Sequence, residues 1–151
     1  MKILVFDIGG TSIKYGVCVN DVLQDVKETP TNAKLGGRHI VETLISLIKE
    51  QSGYDAIGIS TAGQVNSKEG YIIYANQNIP NYTGTKIKEE LEELFHVPVT
   101  VENDVNAAAM GEAIYGAGKD FNQFLMLTYG TGVGGATVTD KQVYYGSSYS
   151  A

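Results

Sequence analysis

The chain has 151 residues, with 11 Lys and Arg against 17 Asp and Glu, a net charge of −6. That balance argues against a protein that holds phosphate backbones through clustered basic charge. With 43% hydrophobic and 19% charged residues it can bury a core, and a single cysteine excludes internal disulfides and a multi-thiolate zinc site within these residues.

The first apolar run, residues 3–6, is broken by Asp7 and is too short for a signal peptide or a membrane span. A cytoplasmic α/β protein, free of nucleic acid and membrane, is the expectation. Asp7-Ile8-Gly9-Gly10-Thr11 then reads as a glycine turn into a returning strand at residues 13–19, and Asn20-Asp21 as a second turn into residues 22–27. Residues 38–52 place Ile40, Leu44, Leu47 and Ile48 on one helix face. Residues 56–60 read as a short strand and 70–74 as an extended piece. Residues 86–95 put Ile87, Leu91, Leu94 and Phe95 on one face of a helix. A strand at 97–101 and a small-residue helix at 103–115 complete the unit.

A second glycine cluster, Gly130-Thr131-Gly132-Val133-Gly134-Gly135, follows the apolar run at residues 124–127. Laid over the first without a gap, Asp7 falls on Thr128, Gly9 on Gly130, Val17 on Val138 and Val22 on Val143. A duplicated supersecondary unit is the better reading. The expected division is residues 1–118 as one complete unit, a mixed five-stranded sheet with flanking helices, and 119–151 as the opening of another. The reading expects no helix to cover the second sheet, and so a piece of a longer protein.

Three polar junctions carry the chemistry. After the first strand, Asp7 is a carboxylate where a cation or partner is needed, and Gly9 and Gly10 let a ligand approach the backbone. With Thr11 and Lys14 they can hold a polyphosphate and its Mg²⁺; a plain hairpin is the alternative. Gly130, Thr131 and Gly132 repeat that logic. At Glu102-Asn103-Asp104 a strand meets a helix. Capping is the ordinary role for Asn103 or Asp104, yet an ionised Asp at a helix N-terminus also suits proton abstraction from a hydroxyl. The third junction, residues 60–66, and the amide-rich Asn76-Gln77-Asn78 suit sugar hydroxyls as well as any solvated loop. All three junctions fall at strand ends, where α/β sheets bind ligands. His39 and His96 read as helix-surface residues, and Cys18 as a buried small hydrophobe.

Asp7-Ile8-Gly9-Gly10-Thr11, Glu102-Asn103-Asp104-Val105-Asn106 and Gly130-Thr131-Gly132-Val133-Gly134-Gly135, in that order, resemble the ROK family of repressors, open reading frames and kinases. The resemblance implies RNase H-like lobes of the actin-like ATPase superfamily closing on ATP and a sugar. It implies Asp7 at the Mg²⁺–phosphate end, with Gly9, Gly10, Thr11 and Lys14 on phosphate and Gly130, Thr131 and Gly132 contacting it from the second lobe. Asp104 is implied as the base on a sugar hydroxyl, with Asn103 and Glu102 on the sugar side. Residues 58–66 look like the sugar loop of N-acetylmannosamine kinases, which brings Gly63, Gln64 and Asn76 to the sugar. The family's Glu-x-Gly-His segment and its zinc cluster are missing from these residues, and its adenine pocket is expected to lie mostly outside them. Dimers are common among the relatives. The phosphate motif begins at Asp7, with no room before Met1 for a repressor's DNA-binding segment, which favours kinase. Two rivals stand beside it: a sugar-binding regulator that transfers no phosphate, and a two-metal nuclease using Asp7 and Asp104. The negative charge and the second glycine turn count against the nuclease.

Overall fold

A computed structural model describes residues 1–130 and 132–150. They form two compact units, residues 1–102 and residues 103 onward.

The first unit is built on a five-stranded sheet of order β3-β2-β1-β4-β7, from β1 (Lys2–Ile8), β2 (Ser12–Val19), β3 (Val22–Pro30), β4 (Ala56–Thr61) and β7 (Val99–Asn103). β1 runs antiparallel to β2 and parallel to β4, so the sheet is mixed, as expected. Alternation along β1 sends Leu4, Phe6 and Ile8 to the core and Ile3, Val5 and Asp7 to the other face. Asn20 and Asp21 both carry positive φ, the mark of the type I′ turn that suits a two-residue hairpin. Helix α1 (Gly37–Lys49) lays Ile40, Val41, Leu44 and Ile48 on the core, each contributing about 1.5–3 kcal/mol by leaving water. Its first residue is a glycine because a Cβ there would lie 2.6 Å from the Asn81 carbonyl oxygen and 2.9 Å from Tyr82 Cα.

Helix α2 (Ile87–Phe95) buries Ile87 and Leu91 and ends on His96 in the left-handed region. Leu94, expected on its buried face, is 49% exposed, since the helix stops one residue later and no further turn carries that stripe inward. Cys18 is half-buried rather than enclosed. Two further strands, β5 (Gln64–Asn66) and β6 (Tyr71–Tyr74), pair as a separate hairpin.

The second unit packs helix α3 (Asp104–Ile114) on a three-stranded sheet of β8 (Gln123–Tyr129), β9 (Val133–Thr139) and β10 (Gln142–Val143). Ala109 and Ala113 meet Ala136, Val138 and Val143 in a small core, to which Val105, Phe124 and Met126 add. The second sheet, expected to lack a helix, therefore has one face covered. α3 comes from residues that the sequence reading gave to the first unit; its alanine stripe permits the close approach.

The duplication is visible in the pairing, with one difference. Ile8 pairs with Ile13 across a four-residue turn, whereas Tyr129 pairs with Val133 across three residues. Beyond the turn the repeats are offset by one residue, and Asp140-Lys141 takes the positive-φ place of Asn20-Asp21. The gapless alignment thus holds for β1 and β8 but not for the strands that follow. Among the described residues no helix is long and apolar enough to cross a membrane.

Candidate functional site

In the first unit, the strand ends bring one row of polar side chains onto the sheet face away from the core. Asp7 pairs with Lys14 on β2 and with Ser60 on β4, and Lys14 pairs in turn with Glu28 on β3. Ser60 Oγ donates to Asp7 Oδ1 at 2.9 Å. Asp7 is exposed, so its charge stays hydrated rather than waiting, desolvated, for a cation.

The turn beyond Asp7 is braced from behind. Gly9 N–H donates to the Ser12 carbonyl at 3.0 Å, and Thr31 N–H to the Thr11 carbonyl at 2.9 Å. Thr31 Oγ1 donates to the Gly9 carbonyl at 2.7 Å, and Thr31 is fully buried. A Cβ on Gly9 would lie 3.1 Å from the Ser12 oxygen, while one on Gly10 would meet no described atom within 4 Å. Gly10 and Thr11 therefore lie open and Gly9 serves the turn. Sequence reasoning missed Thr31, since a lone threonine after Pro30 carries no spacing signal.

The loops named for sugar binding are physically joined. Gly63 has φ 103°, a left-handed conformation that favours glycine, and a Cβ there would lie 3.0 Å from the Tyr74 carbonyl oxygen. Gln64 pairs with Tyr74 across the β5–β6 hairpin. Asn76 is exposed and its Oδ1 accepts from Asn78 N–H at 3.0 Å, an Asx turn. Thr83 Oγ1 accepts from Ala75 N–H at 3.0 Å, which ties this loop to the next. Glu102 is half-buried on β7, where the unit ends.

In the second unit, Asn103 caps α3. Its Oδ1 accepts from Val105 N–H at 2.9 Å and Asn106 N–H at 3.1 Å, while Nδ2 donates to Asp104 Oδ1 at 3.0 Å. Asp104 Oδ1 also accepts from Val105 N–H at 2.9 Å. The ordinary capping role is therefore real, and it also orients the neighbouring carboxylate at a helix N-terminus, which favours negative charge. Gly130 N–H donates to the Gly132 carbonyl at 2.9 Å, and Cβ atoms on either glycine would meet no described atom within 4 Å. Thr131 lies outside the described residues. Gly134 differs: a Cβ there would strike Val105 Cγ2 at 2.6 Å and Thr128 Oγ1 at 2.7 Å, so it serves packing against α3.

Comparison with known proteins gives a consistent result. The model of the ROK family matches residues 3–151. A β-glucoside kinase of Listeria monocytogenes is 33% identical over 151 residues, covering 100% of this chain and 51% of that protein. The solved structure of a candidate N-acetylmannosamine kinase from Listeria monocytogenes matches with a TM-score of 0.92 at 34% identity, covering 100% of this chain and 52% of that one. A ROK family glucokinase from Streptomyces griseus, solved with glucose and AMPPNP, matches with a TM-score of 0.84 at 31% identity, over 97% of this chain and 47% of that one. The chain spans about half the length of the relatives it matches.

Proposed function

The chain belongs to the ROK family and has its actin-like ATPase fold, and from that premise we propose that the protein carrying it phosphorylates a hexose or N-acetylhexosamine with ATP. The observation that carries this reading is Asp104, held on Oδ1 by Asn103 and Val105 at the capped start of α3. A carboxylate oriented in this way is suited to accept the proton of a sugar hydroxyl as that oxygen attacks the terminal phosphorus of ATP.

The remaining roles divide between the units. In the first, Gly10 and Thr11, with Lys14 alongside, would receive phosphate on a turn that Gly9 and Thr31 hold rigid. Gly63, Gln64, Asn76 and Glu102 would bind sugar hydroxyls, as would Asn103 of the second unit. In the second, Gly130, Thr131 and Gly132 would serve phosphate again. Asp7 would hold Mg²⁺: an exposed carboxylate beside a glycine turn fits a cation that takes most of its oxygens from phosphate and water. Bound there, Mg²⁺ would neutralise charge on the transferring phosphate. No group of three His, Cys, Asp or Glu among the described residues is placed to hold a metal on protein ligands alone. We place the protein in the cytoplasm and take residues 1–118 and 119–151 as belonging to separate lobes of the whole protein.

The test is sugar-dependent ATP consumption by the intact protein across a panel of hexoses and N-acetylhexosamines. Asp104→Asn is expected to lower kcat by about 10²–10⁴-fold, the usual worth of a general base, with sugar affinity changed less than about threefold. Near-normal turnover in that variant would remove Asp104 from the role. Sugar binding without ATP consumption in the parent protein would establish the regulatory alternative.

A further inference from the structure

Tyr82 is the largest fully buried side chain of the first unit, and no step described above uses its hydroxyl. That hydroxyl lies 2.8 Å from Thr61 Oγ1, and both residues are 0% exposed. Thr61 Oγ1 in turn donates to the Ala62 carbonyl at 3.3 Å, which leaves Tyr82 as the donor to Thr61. Thr61 is the last residue of β4, and Ala62-Gly63-Gln64 follows it directly. The Tyr82 end is anchored independently. Thr85 Oγ1 and Thr85 N–H both donate to the Tyr82 carbonyl, at 2.7 and 3.1 Å, and the bare face of Gly37 admits the Tyr82 ring. Next to it, Thr83 holds Ala75, the residue before Asn76.

We propose that Tyr82 is a positioning residue for sugar binding: through the buried hydrogen bond to Thr61 it holds the Ala62-Gly63-Gln64 turn at a fixed distance from Asn76. The inference rests on the sugar-kinase reading above. A turn that carries a glycine with φ 103° two residues beyond the end of its strand has little local preference for one direction, so a tie at the strand end decides where its amides point. Burial pushes the Tyr82 phenol up to about 12, so it remains a donor across the physiological range.

Tyr82→Phe keeps the ring and removes only the donor; Thr61→Val removes the acceptor; Thr61→Ser restores it. In the intact protein, Tyr82→Phe and Thr61→Val are each expected to weaken sugar binding roughly three- to tenfold, the range of one buried hydrogen bond. The Kd for ATP and the kcat at saturating sugar should stay within about twofold, and the double variant should be no weaker than the worse single one. Thr61→Ser should bind sugar as the parent does. Amide hydrogen exchange at Ala62 to Gln64 should quicken in Tyr82→Phe, a readout that needs no turnover. Equal weakening of sugar and ATP binding, or an unchanged sugar Kd, would overturn the proposal. A parent protein that binds no sugar overturns the kinase reading, whereas unchanged exchange at Ala62 to Gln64 in Tyr82→Phe overturns the positioning role separately.

Discussion

The two glycine-turn hairpins start from matching sequence and end in opposite surroundings. Leu4, Phe6 and Ile8 of β1 are 2%, 4% and 0% exposed; their counterparts Leu125, Leu127 and Tyr129 on β8 are 64%, 49% and 77% exposed. In the first unit that face receives α1, and in the second the described helix α3 packs on the other face. The returning strands differ again. A turn shorter by one residue turns β9 over relative to β2. Val17, paired with Leu4, therefore faces the α1 side, whereas Val138, its gapless counterpart, pairs with Phe124 on the α3 side. An alternating strand specifies two faces, but which face becomes core depends on the turn length and on where a helix is available.

The largest effect separating the hairpins is expected from core truncation. Phe6→Ala should cost about 3–5 kcal/mol, and Leu127→Ala less than about 1 kcal/mol in this chain, by urea denaturation. Equal losses would mean that β8 is covered in solution. Glycine substitutions sharpen the contrast within the second turn. Gly134→Ala forces a methyl against Val105 and Thr128 and should cost about 1–3 kcal/mol. Gly130→Ala should change stability little while weakening ATP binding in the intact protein. If Gly130→Ala proves the more destabilising of the two by thermal melting, the division into packing and ligand glycines fails.

The brace behind the first turn gives a smaller effect. Thr31→Val leaves the Gly9 carbonyl without its buried donor and should cost about 1–2 kcal/mol. It should also raise KM for ATP more than KM for sugar in steady-state kinetics, and a shift of equal size in both would deny the turn this local support. The last difference is confined to alkali. The folded state raises the Tyr82 phenol from 10.0 to about 12, so the folded state disfavours the phenolate. Its contribution is complete below pH 10 and is lost as pH rises toward 12. Tyr82→Phe should show a shallower fall in stability over that window, in denaturation followed at stepped pH.

Much of the fold was readable because its signals are local. The spacing of Ile40, Leu44 and Ile48 marked α1, the apolar run at residues 3–6 marked β1, and the turn residues Asn20-Asp21 closed a hairpin. Leu94 was misjudged because a helical stripe does not record where the helix ends. The glycine motifs marked the turns but not which glycine had which task. Gly10 and Gly134 look alike in sequence and differ only in what lies beside them.

Residue types and short-range periodicity were enough to place the helices and most of the strands, the duplicated turn and the motifs Asp7 to Thr11, Glu102 to Asn106 and Gly130 to Gly135. Those features depend on backbone preference and on contacts a few residues apart. The brace from Thr31 to Gly9, the tie from Tyr82 to Thr61, the one-residue slip of β9 and the covering of the second sheet by α3 were decided by tertiary structure alone. Each joins groups far apart along the chain, and buried hydroxyls and bare glycine faces acquire their partners only when the chain has packed.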